Sequence, residues 1–509
     1  MTMLPSPAAA VTAGRFAPPP WDVHTSAWQA LDADLPPDHL ARQIDRAVDA
    51  LDLAPLYAAY AGTGSPAHPP ALLLKAALYE LHSGRRRPAQ WHRDARESAP
   101  LRWLLRGCRP ARSAWYAFRD RAADLDVLLN GQALQAAVAD GLTAADRAAL
   151  DGTLVAAAAS RHRLLNEAAL GRRLSALAEA TQADATGATP AAGPPWLART
   201  PRGRAGQRGR YRRAAARMEQ AQARNAAKRA GKRKPRDRVV VSPTDPEAAL
   251  GRDKQQVYRP LYNVQYAADL DAPLVLGYVV LAQPNDAGAV GPLLDRVRQT
   301  AGRQVLVALA DAGYAGGADL AAAAAAGVTL YAPWQANDGT APKKGVPQIP
   351  KEAFTWLPHE QRYRCPQGHV LEFAGQSRQR RSGTELVVLE QYRCPPEHCR
   401  ACPRRQACTP NPDAGRTVSR GEHEGLIEQL RARMATPEAK ALYRLRRQTV
   451  ELRYADAKQH REFRRFSGRG LQRAQTEVGW TVLAYNLVSI DRLRQTAATH
   501  DTNPDNVAA

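Results

Sequence analysis

Apolar residues recur at helical spacing through the first third of the chain. After Pro36-Pro37-Asp38, the stretch His39–Leu53 predicts one helix. His68-Pro69-Pro70 opens a second, with Leu72, Leu73, Ala76, Ala77 and Leu81 at helical spacing. Gly84 and Pro88 separate it from the next, and Arg109-Pro110 precedes a further helix over Ser113–Leu125. Short helices with short breaks predict an all-α unit over 36–147. Residues 1–35, rich in Pro and Ala without periodicity, predict a mobile arm.

The period changes at residue 148. Ala148–Val155 reads as a short β piece, the first part (148–160) of an α/β core. Gln256–Ala267 and Leu274–Leu281 are rich in Val, Leu and Tyr and predict strands, the second ended by Pro284-Asn285-Asp286. A helix over Ala289–Thr300, a buried-type strand over Gln304–Ala310, an Ala-rich helix over Ala318–Ala326 and a strand over Val328–Ala332 follow. Strands alternating with helices predict parallel pairing in the second part of that core, 239–345. Between the two parts, 161–238 breaks the pattern: Arg199–Arg238 holds 16 Lys and Arg against Glu219 and Asp237. A block of that charge without an apolar face predicts a solvated helix or a disordered arm. A Cys-rich insert (346–435), a helical region (436–495) and a disordered tail (496–509) complete the chain.

Composition narrows the class. At 509 residues, with 44% apolar and 24% charged, the chain suits two to four globular units and excludes wholesale disorder. A net charge of +22 calls for a polyanionic partner, nucleic acid or an anionic membrane. No apolar run reaches the roughly 20 residues of a spanning helix, and MTMLPSPAAAVTAGRF lacks a signal-peptide pattern. A soluble cytoplasmic protein is expected. Six cysteines are too few for a disulfide scaffold. Five of them fall between Cys365 and Cys408, while Cys108 reads as a buried thiol.

Three acidic residues are candidates for chemistry. Asp311 follows a run that would be buried as a central strand, where α/β sheets gather functional groups, although an Asp there also serves as a turn former or helix cap. Asp151 precedes Gly152 and reads either as a hairpin corner or as a carboxylate aimed at a metal. Arg447, Glu451 and Lys458 fall at i, i+4 and i+11, about 20° past three helical turns, and so share one face. A surface helix with an Arg–Glu pair is the alternative. Cys365, Cys399, Cys402 and Cys408 form the best tetrahedral set for a structural Zn²⁺, with Cys394 and His369 as substitutes. Reduced cysteines without metal are the other reading.

Three basic regions could grip DNA. The first runs from Arg85 to Arg121 around a candidate helix-turn-helix with Trp115, Tyr116 and Arg119 as contacts, although Trp115 and Phe118 also suit a core. The second is the 199–238 block, represented by Arg212 and Arg213. The third is Arg461, Arg464, Arg465, Arg469 and Arg473. Ordinary solvated surface is the alternative for all three.

Taken together, the chain resembles the DDE transposases of bacterial insertion sequences, in the subgroup with a helical N-terminal domain and a cysteine-rich insert. The segments that carry the resemblance run in family order from about residue 36 to 490. They are HPPALLLKAALYELHSGRR (68–86), SAPLRWLLRG…SAWYAFRDR (98–121), LDGTLVAAAAS (150–160), SPTDPEA (242–248), YNVQYAADL (262–270), LADAGY (309–314), CPRRQACT (402–409) and VELRYADAKQHREFRRFSGRGLQRAQTEVGWTVLAYNL (450–487). The resemblance implies an α/β RNase H-like core plus an all-α N-terminal domain and a small Cys-rich insert. It assigns Asp151, Asp311 and Glu451 to two Mg²⁺ (or Mn²⁺) ions, and Arg447 and Lys458 to substrate phosphates. The family's helix signature places Tyr seven before the Glu; Arg444 stands there, with Tyr443 one place off. The implied activity is cleavage and strand transfer at terminal inverted repeats, on double-stranded DNA, by a homodimer assembled on DNA and associated with the nucleoid. The alternatives are a non-catalytic DNA- or RNA-binding protein on a decayed scaffold and a plain metal-dependent nuclease.

Overall fold

A computed structural model describes residues 16–60, 65–187, 193–228, 230–334, 349–381 and 385–501. The helical unit comprises α1 (Ser26–Asp34), α2 (Leu40–Asp49), α3 (Ala54–Ala58), α4 (Pro70–His82), α5 (Pro88–Glu97), α6 (Ala99–Leu104), α7 (Arg112–Arg121) and α8 (Asp126–Ala139). Pro in the first turn starts α3, α4, α5 and α6, where a missing N–H costs nothing, and His39 caps α2 by accepting the Ala41 N–H. α4 is buried almost all round. Its Lys75 is tolerated inside because Asp45 and Asp49 of α2 each approach to 2.6 Å.

The expected arm needs correction over its described part, 16–35. Phe16 packs edge-on against Tyr57 and Tyr60, and Trp28 stacks on Trp103 at 5.7 Å. Aromatic area buried there holds a segment whose overall composition suggested none. Residues 1–15 lie outside the described residues.

β1 (Arg147–Ala156) runs straight through Asp151-Gly152, so no hairpin corner forms there. The chain then leaves the sheet for β2 (Leu165–Asn166), α9 (Glu167–Ala185), α10 (Pro201–Ala226) and β3 (Val240–Val241), the last pairing with β2. The basic block therefore has an apolar face after all. Tyr211, Ala214 and Met218, at i, i+3 and i+7 of α10, close over Leu170 and Leu177 of α9. Arg204 pairs with Asp184 and Arg236 with Glu167, at opposite ends of the helix pair.

β4 (Ala249–Arg252), β5 (Tyr258–Asp269) and β6 (Val275–Leu281) return the chain to the sheet. α11 (Val290–Ala301), β7 (Val307–Leu309), α12 (Gly317–Ala325) and β8 (Thr329–Tyr331) follow. The strand order is β4-β5-β1-β7-β8, with β6 also paired to β5. β1, β7 and β8 are parallel, whereas β5 is antiparallel to β1, β4 and β6. The expected parallel pairing holds for half the sheet only, because the short β5–β6 connection leaves room for a hairpin and not for a crossover.

A second, antiparallel sheet has the order β13-β12-β11-β10-β9. Its strands are β9 (Thr355–Leu357), β10 (Arg362–Arg364), β11 (Val370–Arg381), β12 (Glu385–Arg393) and β13 (Thr417–Gly421). α13 (Pro396–Ala401) and α14 (Arg405–Cys408) interrupt it, and α15 (Glu424–Ala435), α16 (Pro437–Ala455) and α17 (Leu471–Asp501) end the described chain. α17 continues to Asp501, past the expected start of a tail at 496; residues 502–509 lie outside the described residues.

Both faces of the first sheet are covered. Ala148 and Leu150 share one continuous core with the helical unit, α11 and α17. Ala149 and Val155, on the other face, pack with Val450 and Tyr454 of α16.

Candidate active site

Parallel pairing of β1 with β7 sets Ala149 opposite Leu309. Asp151, in the middle of β1, and Asp311, just past the end of β7, each lie two residues beyond that pair and come near one another where the parallel ladder stops. Asp311 Oδ1 accepts the Gly313 N–H at 2.7 Å, so it also caps the turn that follows. A third carboxylate joins them from the loop after β6. Asp286 Oδ1 accepts from Asn263 Nδ2 at 2.8 Å and Gln265 Nε2 at 2.6 Å. Tyr314 in turn donates to Gln265 Oε1.

The two neighbouring glycines are demanded by this cluster. A Cβ on Gly152 would stand 2.1 Å from Asp286 Oδ1, and one on Gly313 would lie 2.9 Å from Asp311 Oδ1 and 3.4 Å from Asp286 Oδ2. Burial, with the charges of Asp311 and Asp286, pushes the Asp151 carboxyl up to about 6 against the pull of Arg446. Sequence reasoning used Asp286 only as a strand stop. Asn263 and Gln265, polar residues two apart in a buried strand, were the signal that its side chain would be held.

α16 covers this end of the sheet. Tyr454 donates to the carbonyl oxygens of Asp151 (2.7 Å) and Val264 (2.9 Å), and its ring stacks on Tyr266 at 4.8 Å. Its inward face runs Tyr443, Arg446, Val450, Tyr454. Arg446 meets Asp151: Nη2 is 2.9 Å from Oδ1, while Nη1 is 3.6 Å from Glu451 Oε1. Arg447 is exposed, and the Glu451 side chain is 52% exposed, linked to the aspartates through that guanidinium.

Residues 456–460 form a wide π-helical turn, so a projection at 100° per residue does not hold as far as Lys458. Lys458 turns inward and donates to Thr153 on β1. Burial, Lys254 and Arg464 push its ammonium down to about 8. Tyr443 and Arg446 keep a spacing of three and Glu451 and Lys458 one of seven; the two pairs are one residue out of step with the family signature.

Among the described residues no three His, Cys, Asp or Glu side chains are placed to hold one metal ion. The donor set nonetheless suits a hard cation: carboxylate oxygens of Asp151 and Asp311, with Asp286 beside them and Glu451 on the far side of Arg446.

The cysteines lie elsewhere. Cys394 and Cys399 are buried in a cluster that Cys365 and Cys408 pack against. Cys365 Sγ accepts the Gln367 N–H at 3.4 Å and Cys399 Sγ the Arg416 N–H at 3.3 Å. Burial and the neighbouring Cys399 push the Cys394 thiol up. Cys394 thus sits at the centre of the group, and Cys402 at its edge.

Comparison with known proteins fits this geometry. Residues 364–490 match the family model described as a transposase DDE domain, and residues 29–121 match the one described as a transposase domain (DUF772). The two matches indicate a DDE transposase of an insertion sequence, with an N-terminal DUF772 domain followed by a DDE domain. No curated protein and no solved structure matches it. The DDE match contains Arg446, Glu451 and Lys458 of this transposase; Asp151, Asp286 and Asp311 lie in the unmatched stretch between the two models.

The transposase's candidate DNA contacts divide. Trp115 is corrected: it is wholly buried, edge-on to Trp91 at 5.9 Å, and belongs to the core. Tyr116 is half-buried between the guanidinium groups of Arg112 and Arg119. Arg119 is already paired with Asp120 at 2.8 Å. α5 and α7 are separated by α6 and do not follow one another directly. Arg212 and Arg213 are exposed on different sides of α10; Arg465 donates to the Ala159 carbonyl at 3.0 Å, and Arg469 is exposed. No helix among the described residues is long and apolar enough to cross a membrane.

Proposed function

We propose that this transposase cleaves and joins DNA at the terminal inverted repeats of its own element, with two Mg²⁺ or Mn²⁺ ions held by Asp151, Asp311 and Glu451. The sheet reads as an RNase H-like core, three antiparallel strands followed by parallel ones. The observation that carries the proposal is the placement of Asp151, on β1, beside Asp311, just past the parallel strand β7, beneath a helix and following turn that bring Arg446 and Lys458.

Bound ions supply activation of the attacking water or 3′-hydroxyl and neutralisation of the leaving oxygen. The chain's own groups do the rest. Tyr454 fixes the backbone at Asp151, and Gly152 and Gly313 leave room for the carboxylates. Arg446 offers a planar fork to a phosphate and Lys458 a point charge. Asp151 must give up its proton before it can ligate a cation, and its neighbours Asp286 and Asp311 make a cation at that place more favourable. The enzyme would act as a homodimer on its DNA, in the cytoplasm with the nucleoid, with a structural zinc drawn from Cys365, Cys399, Cys402 and Cys408 and Cys394 in reserve.

Asp311→Asn is expected to abolish Mg²⁺-dependent strand cleavage of element-end DNA while leaving binding within about threefold; full cleavage by that variant removes Asp311 from the mechanism. Strand joining separates this reading from a plain metal-dependent nuclease. The exposure of Glu451 favours a second reading, a nucleic-acid-binding protein on a decayed scaffold, which predicts no cleavage by the wild-type chain in Mg²⁺ or Mn²⁺.

A further inference from the structure

One charged feature remains outside the catalytic face. Between α10 and the strands β3, β4 and β5 lies a cleft of about 200 Å³ lined by Arg217, Arg224, Lys228, Lys234, Arg238 and Tyr258. No carboxylate lines it. It is a built feature: the buried Asn225 side chain donates to the Lys234 carbonyl at 2.7 Å and accepts the Lys234 N–H at 2.9 Å. The Lys234 ammonium then stands 5.6 Å from the centre of the Tyr258 ring. Arg217 is half-buried, and its guanidinium donates to Gln220 Oε1 at 3.3 Å. Burial and the neighbouring Arg224 lower its affinity for a proton, the mark of a cation packed among cations.

The cleft is one end of a longer line. At 100° per residue Arg210, Arg213, Arg217 and Arg224 lie within about 60° of one another on α10, and at 1.5 Å per residue they span about 21 Å. Arg210 feels the positive field of Arg469, which follows α16. At the other side Lys254, in the turn before Tyr258, adds to the positive field at Lys458, which Asp151 and Asp253 oppose. A straight row of cations that forms no ion pair with any described carboxylate fits a long regular polyanion. One DNA strand presents a phosphate about every 3.4 Å along the axis, so about six would pass the row.

We propose that this cleft and the α10 row form a rail for the phosphate backbone of duplex DNA lying beyond the cleavage site. The proposal rests on the transposase reading and adds a placement to it: contacts there set affinity and direction of the duplex without reading sequence.

The test measures binding by the full chain against salt, on a long duplex reaching beyond the element end and on a short one stopping at it. Arg217→Ala/Arg224→Ala is expected to weaken long-duplex binding roughly tenfold and to lower the slope of log affinity on log salt by about 2. The exposed pair Arg224→Ala/Lys228→Ala should do the same, which separates the effect from any folding defect at Arg217. The short duplex should lose less than twofold, as should the long duplex with the charge-matched pair Arg298→Ala/Arg303→Ala on α11 and the turn after it. An unchanged slope on the long duplex, an equal loss on the short one, or a loss seen only with RNA overturns the rail and leaves the transposase reading standing. Failure of the wild-type chain to bind duplex DNA at all sinks both.

Discussion

Gly152 shows how little space the carboxylate cluster leaves. It follows Asp151, and Gln265 and Asp286 close in from the other side. The Cβ of Gly152→Ala would stand 2.1 Å from Asp286 Oδ1 and 2.2 Å from Gln265 Nε2. Overpacking of this kind costs about 1–3 kcal/mol, and here the strain falls on the loop that carries Asp286. We expect a loss of that order in urea unfolding together with a more than tenfold loss of cleavage rate; a variant with wild-type cleavage would show that Asp286 plays no part. At this scale the sequence named Asp151 and Asp311 and missed Asp286, because a lone Asp in a Pro-Asn-Asp turn carries no spacing signal. It also singled out Arg447, which is exposed, and passed over Arg446, which faces inward. One position on a helix is 100°, and only the packing of Tyr454 on Tyr266 decides which side faces in.

Single elements add charge arrangements that no pattern reveals. Glu80 of α4 is fully buried, with Arg85 at 3.2 Å. Burial, together with the nearby Asp94, pushes its carboxyl up to about 8 from 4.5. A carboxyl raised in the folded state binds its proton more tightly there than in the unfolded chain. Its contribution to stability is therefore complete below 4.5 and is lost as pH rises through about 8. The wild-type chain should lose stability relative to Glu80→Gln across that window, as read by chemical denaturation at successive pH values; parallel profiles would refute it.

The cysteine-bearing element makes a separate prediction. Amide N–H groups already point at the sulfurs of Cys365 and Cys399, and such bonds help a thiolate carry charge beside a cation. Metal analysis should find about one zinc per chain, released by Cys399→Ser. Well-folded protein without zinc would sink that assignment. The spacing in the sequence was enough to gather these cysteines, but not to show that Cys394 is buried among them while Cys402 lies outside the cluster, since that depends on where β12 ends and α13 begins.

The whole molecule is less divisible than its pattern. The all-α unit looked self-contained over 36–147, yet α17 runs between it and the sheet, and a single apolar core joins Leu129, Leu134 and Ala137 to Leu483 and Leu487. Tyr278 of β6 donates to Asp126 of α8 at 2.6 Å, and Arg86 reaches the carbonyls of Arg461 and Glu462 beyond α16. The helical unit thereby holds the segment that follows Lys458. A fragment ending at residue 142 would expose the α8 face that α11 and α17 cover. We expect it to lack a cooperative thermal transition by circular dichroism, whereas a sharp transition would show an autonomous domain.

The sequence by itself determined the order of elements, the change from helical to alternating period at residue 148, and the concentration of charge in 199–238. Those follow from local rules: proline at helix starts, period, and charge density. The tertiary structure alone decided that the basic block folds on an apolar seam, that Trp115 is core, that Asp286 joins the site, and that Arg446 stands between Asp151 and Glu451. Each of these depends on contacts between residues far apart in the chain, where strand register and helix rotation fix which side chains meet, and neither is written in the local pattern.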